Sequence, residues 1–227
     1  LTHCLDRALI PLPEDGLLVA IGPEAPPPLP QDRTLILHPD ICQVTALQAQ
    51  GWTCDVHWPD APHAAIVTVP RARARAQGWI AAAAQAVGPK GLVVVEGAKT
   101  DGIDPLLKAI KARQPLLGQE AKAHGRCFWF QPNADFSDWV AHPTDVAGYV
   151  TRPGVFSADG PDPASRALAA ALPADLRGAV GDLGAGWGFL SRAIAAHPDV
   201  TTLHLIEADH DALSCAKSNV TDPRARF

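Results

Sequence analysis

Within seven positions, Asp182-Leu183-Gly184-Ala185-Gly186-Trp187-Gly188 sets an acid and three glycines where an apolar run hands over to a helical pattern. Glycines there turn the chain tightly and let backbone approach a ligand, and strand-to-helix loops of this kind bind nucleotide-like molecules in α/β folds. The position at which a dinucleotide fingerprint wants its third glycine is Phe189, which disfavours NAD. No Gly-Lys-Ser/Thr follows, so a P-loop is not indicated. A second acid, Glu207, closes the next apolar run nineteen residues after Gly188. A carboxylate at that point can accept both ribose hydroxyls of an adenosine as a bidentate pair.

The segments that must position this loop alternate between short apolar runs and helical patterns, the signature of an α/β fold. Strands are predicted at Leu17 to Ile21, Thr34 to Leu37, Ala64 to Val69, Leu92 to Glu96 and Cys127 to Phe130. Helices are predicted over the alanine-rich Arg71 to Val87 and over Asp104 to Arg113, where Leu106, Leu107 and Ile110 recur at helical spacing and Asp101 or Asp104 could supply the cap. Pro23 to Pro30 cannot lie inside a helix and reads as a surface loop. The broken stretch from Pro132 to Pro153 separates two domains, 1–141 and 153–227, with 142–152 as the linker. The second domain reads as a helix at Ala164 to Leu172, a strand at Ala179 to Leu183, the glycine loop, a helix at Phe189 to Ala196, a strand at Thr202 to Ile206 and a helix at Asp211 to Asn219. Phe227 is then reached before any third strand of this domain is expected.

Composition narrows the class. A hydrophobic content of 47% in 227 residues supports buried cores. No apolar run approaches the roughly 18 to 20 residues of a membrane-spanning helix, and Leu1 to Pro13 lacks the pattern of a secretory leader, so a soluble cytoplasmic protein is expected. Five scattered cysteines and nine dispersed histidines give neither a disulfide framework nor metal-ligand spacing, and no metal is expected. The formal charge of −5 argues against indiscriminate nucleic-acid binding, yet its distribution is uneven. Arg71 to Arg126 holds ten Lys or Arg against four acids, a local +6 against −11 elsewhere. That places a basic surface in the middle of the chain, for which Arg71, Arg75, Lys108, Lys111 and Arg113 are the candidate phosphate-binding residues, Arg71 and Arg75 sharing one helical face. The absence of methionine and the start at Leu1 suggest part of a longer gene product.

The glycine loop and the acid after it resemble motif I and the following acidic position of class I S-adenosylmethionine-dependent methyltransferases. A second signature narrows the resemblance: Pro153-Gly154-Val155-Phe156-Ser157, with Asp162 and Ser165 after it, is similar to the segment that precedes motif I in small-subunit ribosomal RNA guanine-N2 methyltransferases. Glu96-Gly97-Ala98-Lys99-Thr100-Asp101-Gly102-Ile103 and Lys122-Ala123-His124-Gly125 resemble that family's N-terminal domain, a methyltransferase-like fold without a cofactor site. The resemblance implies a degenerate methyltransferase-like N-terminal domain followed by the first part of a Rossmann-like class I methyltransferase domain. It implies S-adenosylmethionine held by Phe156, Asp182, Gly184, Ala185, Gly186, Gly188 and Glu207. Asp209 would either approach the adenine or cap the next helix.

The same resemblance implies methyl transfer to the N2 amine of a guanine in ribosomal RNA, with the RNA or the small ribosomal subunit as partner and a monomeric enzyme. The family's catalytic Asn-Pro-Pro-Phe/Tyr, which contacts a flipped-out base, has no counterpart in the sequence. Two other classes compete. A release-factor glutamine-type methyltransferase would share motif I but normally carries a helical N-terminal domain. A non-catalytic cofactor- or RNA-binding ribosome-assembly module needs no base pocket.

Overall fold

Short aliphatic runs with nearly every residue buried, such as Leu18–Ile21 (β1) and Ala64–Thr68, mark strands of a parallel sheet covered on both faces. The computed structural model describes Leu1 to Phe227 and divides into two units: Leu1–His38 with Cys42–Ala141, and Pro39–Ile41 with His142–Phe227. In the first unit β1 is followed by Thr34–Leu37 (β2), Thr53–Asp55 (β3), Ala64–Thr68 (β4), Leu92–Ala98 (β5), Gly118–Lys122 (β6) and Gly125–Phe130 (β7). They form one sheet in the order β3-β2-β1-β4-β5-β7-β6. The first five run parallel, and β7 is antiparallel to both β5 and β6.

Helices Thr2–Asp6 (α1), Ile41–Gln48 (α2), Arg73–Val87 (α3) and Ile103–Arg113 (α4) accompany this sheet. The two faces bury separate clusters: Val19, Val67, Val95 and Phe128 with Ile80 and Ile110 on one, Leu18, Ile36, Ile66 and Val94 on the other. Alternate residues of each strand therefore serve opposite cores. Helix α4 buries Ile103, Leu106, Leu107 and Ile110, but Asp101 and Asp104 do not cap it. Its N-cap is Gly102, whose φ of 85° puts the chain in the left-handed region. Asp104, inside the first turn, pairs with Arg126.

In the second unit, Thr144–Val146 (β8) and Tyr149–Thr151 (β9) form a hairpin. This corrects the reading of 142–152 as a linker. Asn219 ties the hairpin down: its side chain accepts from Val150 N at 2.7 Å and donates to the carbonyls of Val150 and Trp187, each at 2.8 Å. Pro163–Ala170 (α5) starts at Asp162, whose carboxylate accepts from the amides of Ala164 and Ser165. Then come Gly178–Leu183 (β10), Phe189–Ala195 (α6), Val200–Ile206 (β11), His210–Asn219 (α7) and Ala225–Arg226 (β12).

Strand β12 corrects a second expectation, since a third strand of this domain is present. It pairs parallel to β11 in a sheet of order β10-β11-β12, while β10 pairs parallel to the other edge of β11 with Asp182 opposite Leu205. Leu203 and Leu205 of β11 bury against Ile194 of α6 and Ala216 of α7. On the other face Leu183 is 77% exposed and Ile206 55%. Gly181 of β10 sits in open space, with nothing within 4 Å of where a Cβ would lie.

Gly188, the N-cap of α6, is constrained twice over. Its φ is 89°, and a Cβ would fall 2.9 Å from Val220 Cγ2 on the chain after α7. In urea unfolding, Gly188→Ala should therefore lower stability by about 1 to 3 kcal/mol, through backbone strain and overpacking. Gly181→Ala should leave stability within about 0.5 kcal/mol of the parent. Equal losses in the two variants would contradict this placement of the loop against α7.

Candidate functional site

Strand β10 delivers Asp182 and then turns into α6 through Gly184 and Gly186, at φ of 73° and 55°. The turn leaves backbone amides that need partners. Gly184 N and Ala185 N both donate to the carbonyl of Ile206, at 2.8 and 3.1 Å, and Gly188 N closes on Ala185 O at 2.9 Å. The remaining contact comes from a side chain: Gly186 N donates to Glu207 Oε2 at 2.8 Å, while Asp209 N donates to Glu207 Oε1 at 2.8 Å. Each carboxylate oxygen keeps a further lone pair, so Glu207 can shape the loop and still receive a hydroxyl.

The other acid is buried. Asp182 is 5% exposed, and its Oδ2 accepts the hydroxyl of Ser191 at 2.5 Å. Burial pushes its carboxyl above the usual carboxylate range, the Ser191 hydroxyl and amide pull it back, and the Glu207 charge pushes it up again. Sequence reasoning missed Ser191, because a serine inside a short helix carries no signal of a partner on a neighbouring strand.

Around the loop lies a cleft of about 200 Å³, bordered by Phe156, Asp182, Gly184, Gly186 and Trp187 among others. A Cβ on Gly184 or Gly186 would meet nothing within 4 Å, so both glycines open onto free space. The ring of Phe156 is 72% exposed at the rim. Its carbonyl accepts Trp187 Nε1 at 3.0 Å, and the next residue, Ser157, has a φ of 52°. Trp187 itself is buried, edge-on to Tyr149 at 5.0 Å and to Phe189 at 5.9 Å. Ala185 is buried within the loop. Asp209 takes the capping role, its Oδ1 accepting from Asp211 N and Ala212 N at the start of α7.

The corresponding loop of the first unit is closed by its own side chains. After β1, Gly22 has a φ of 66°, and a Cβ there would lie 2.4 Å from the Trp79 ring. The prolines that follow offer no amide donors, and Leu29 turns back into the core.

The structure also sorts the basic residues of the first unit. Arg71 lies before α3 rather than on it, fully exposed and 3.8 Å from Asp101, so the expected shared helical face with Arg75 does not form. Arg75 is half-buried on the helix. Lys108 and Lys111 are exposed on α4. Arg113 is engaged within the unit: it makes two 2.6 Å bonds to the carboxylate of Asp138 and stacks 4.5 Å over Trp139. It holds the end of the domain in place rather than offering a free cation. No group of three His, Cys, Asp or Glu is placed to hold a metal, all five cysteines are free thiols, and no helix is long and apolar enough to cross a membrane.

The methyltransferase small domain matches residues 147–226. Ribosomal RNA small subunit methyltransferase C of Salmonella paratyphi B is 35% identical over 117 residues, which cover 51% of this chain and 32% of that protein; the Salmonella newport protein matches to the same extent. The chain thus matches about a third of the length of these curated relatives. Among solved structures, a 16S rRNA N2 guanine methyltransferase of T. thermophilus, in complex with AdoMet and guanosine, superposes with a TM-score of 0.71 at 21% identity, over 92% of this chain and 63% of that one. That likeness bears out the α/β methyltransferase-like fold. The small-domain match covers the glycine loop and Glu207.

Proposed function

We propose that the chain supplies the cofactor-holding part of an S-adenosylmethionine-dependent methyltransferase that modifies the exocyclic N2 amine of a guanine in small-subunit ribosomal RNA. The observation that carries this reading is the contrast between the two units. The loop after β1 is filled by Trp79, whereas Gly184 and Gly186 open onto a cleft lined by Asp182, with Glu207 bonded to the amide of Gly186. The residues present fit the cofactor: glycines that admit close approach, a carboxylate suited to a ribose diol, and a buried carboxylate suited to a cationic end. The enzyme would act as a monomer in the cytoplasm, with ribosomal RNA or the assembling small subunit as partner.

When bound, S-adenosylmethionine supplies a methyl group activated by its own sulfonium charge, so neither a covalent nucleophile nor a metal is required. The task of the protein is alignment. Glu207 would hold the ribose, Asp182 the methionine end, and Gly184, Ala185, Gly186 and Gly188 would form the floor. Phe156, standing at the rim, would cover the ligand and exclude water. No residue from Leu1 to Phe227 is assigned to the guanine amine. Phosphates would be met by Arg71, Lys108 and Lys111, three exposed basic residues of the first unit, with Arg75 beside them and Arg113 supporting the fold.

Calorimetric titration of the chain with S-adenosylmethionine tests the site. Glu207→Ala should weaken binding by about 1.5 to 3 kcal/mol, because a charged acceptor is removed. Parent-like affinity in both Glu207→Ala and Asp182→Ala would place the cofactor elsewhere. A separate experiment tests the RNA surface. Replacing Lys108 and Lys111 by Gln should flatten the salt dependence of rRNA binding, by up to about one unit of log–log slope for each phosphate that is no longer neutralised, without changing the melting temperature. Arg113→Gln should instead lower the melting temperature of the first unit by a few degrees. An unchanged salt slope in the Lys108 and Lys111 variant would mean that RNA is held elsewhere.

A further inference from the structure

Ser191 is wholly buried on α6, yet its hydroxyl does not turn back to its own helix. It crosses to β10 and donates to Oδ2 of Asp182 at 2.5 Å. A serine at this depth can satisfy itself on the carbonyl one turn earlier, so the crossing bond fixes the carboxylate rather than merely pairing the hydroxyl. The cleft is lined by Asp182 and not by Ser191. One carboxylate oxygen is therefore held from behind while the residue itself faces the ligand space.

The surroundings offer Asp182 no positive charge. Glu207, at the end of the adjacent strand, repels it, and the other charged residue lining the cleft is Asp162, before α5. On α6 the neighbouring Arg192 is turned away, bonded to the Gly148 carbonyl at 2.9 Å and stacked over Tyr149. Within the protein, support for the anion at Asp182 comes from Ser191, whose hydroxyl and amide both favour the charged form.

We propose that Ser191 is a positioning residue for the cofactor: it holds Asp182 as an anion with one oxygen presented to the cleft, ready for the cationic end of S-adenosylmethionine. The proposal rests on the reading of the glycine loop as the cofactor site. A carboxylate raised by burial loses its charge as pH falls through its folded-state value, so cofactor affinity should fall on acidification. Removing the hydroxyl should bring that loss to higher pH.

The test is cofactor affinity by calorimetry on the whole chain, from about pH 5 to about pH 8.5. In the parent, affinity should drop along a single titration at the acid end. In Ser191→Ala the midpoint should move up by about one pH unit, weakening binding about tenfold below it and little above it. Ser191→Cys, similar in size with a weaker donor, should fall between them and carries the test should the alanine variant not fold. A midpoint in either folded variant that coincides with the parent's, or a loss of affinity equal at every pH, would overturn the proposal and leave Ser191 as packing alone. Asp182→Asn separates this from the underlying site assignment. It should bind about tenfold more weakly than the parent at the alkaline end and show no midpoint. Parent-like affinity in Asp182→Asn would sink the site assignment itself.

Discussion

A chain that passes from strand to helix through three glycines exposes amides with no ladder or helix to receive them, and the site depends on where those amides go. Two go to the carbonyl of Ile206 and one to the carboxylate of Glu207. Both acceptors lie at the end of β11, so the shape of the loop is inherited from the pairing that sets Asp182 opposite Leu205 and Leu183 opposite Ile206. Glu207 serves several ends at once. It closes the loop through Gly186, it fixes the approach to α7 through Asp209 N, and it still presents acceptor capacity to a ligand. Gly188 extends the dependence to packing, because only a residue without Cβ lets α6 begin so close to Ala216 and Val220.

The two units repeat one arrangement with different fillings. In each, the first strand is followed by a loop and pairs parallel with the second, and a third strand continues the sheet beyond it. What differs is the space over the loop. Trp79 lies against Gly22 in the first unit, and the five prolines from Pro23 to Pro30 have no amide to offer. In the second unit, nothing of the protein lies over Gly184 or Gly186. The shared fold therefore says little about ligand binding by itself; the side chains at the loop decide it.

Much of this was legible in the sequence because apolar periodicity and turn chemistry are local. The strands Thr34–Leu37 and Ala64–Thr68 are short aliphatic runs, and α4 declares itself through Leu106, Leu107 and Ile110. What escaped lacked a local signal. Strand β6 is Gly-Gln-Glu-Ala-Lys, polar at the sheet edge, and turns into β7 through Ala123 and His124, both at positive φ where Asn-Gly would have advertised a hairpin. The β8–β9 hairpin was hidden by Pro143 and Asp145, which read as breaks. It is held by Asn219, a partner sixty-nine positions from Val150. Arg113 read as a free cation because Asp138 and Trp139 reach it only after the chain has passed through two further strands. Of the site, the glycines, Asp182 and Glu207 were legible as a spaced motif. The capping role of Asp209 needed the geometry, as did the bond from Ser191.

The central claim is that one of two similar sheets holds the cofactor, and backbone amide NMR of the chain titrated with S-adenosylmethionine addresses it directly. The largest shifts should fall on the amides of Gly184, Gly186 and Asp209, which lie in the loop or bond to Glu207, while Gly22 and the Trp79 indole stay unmoved. Shifts at Gly22 and Trp79, with Gly184 and Gly186 silent, would contradict the account.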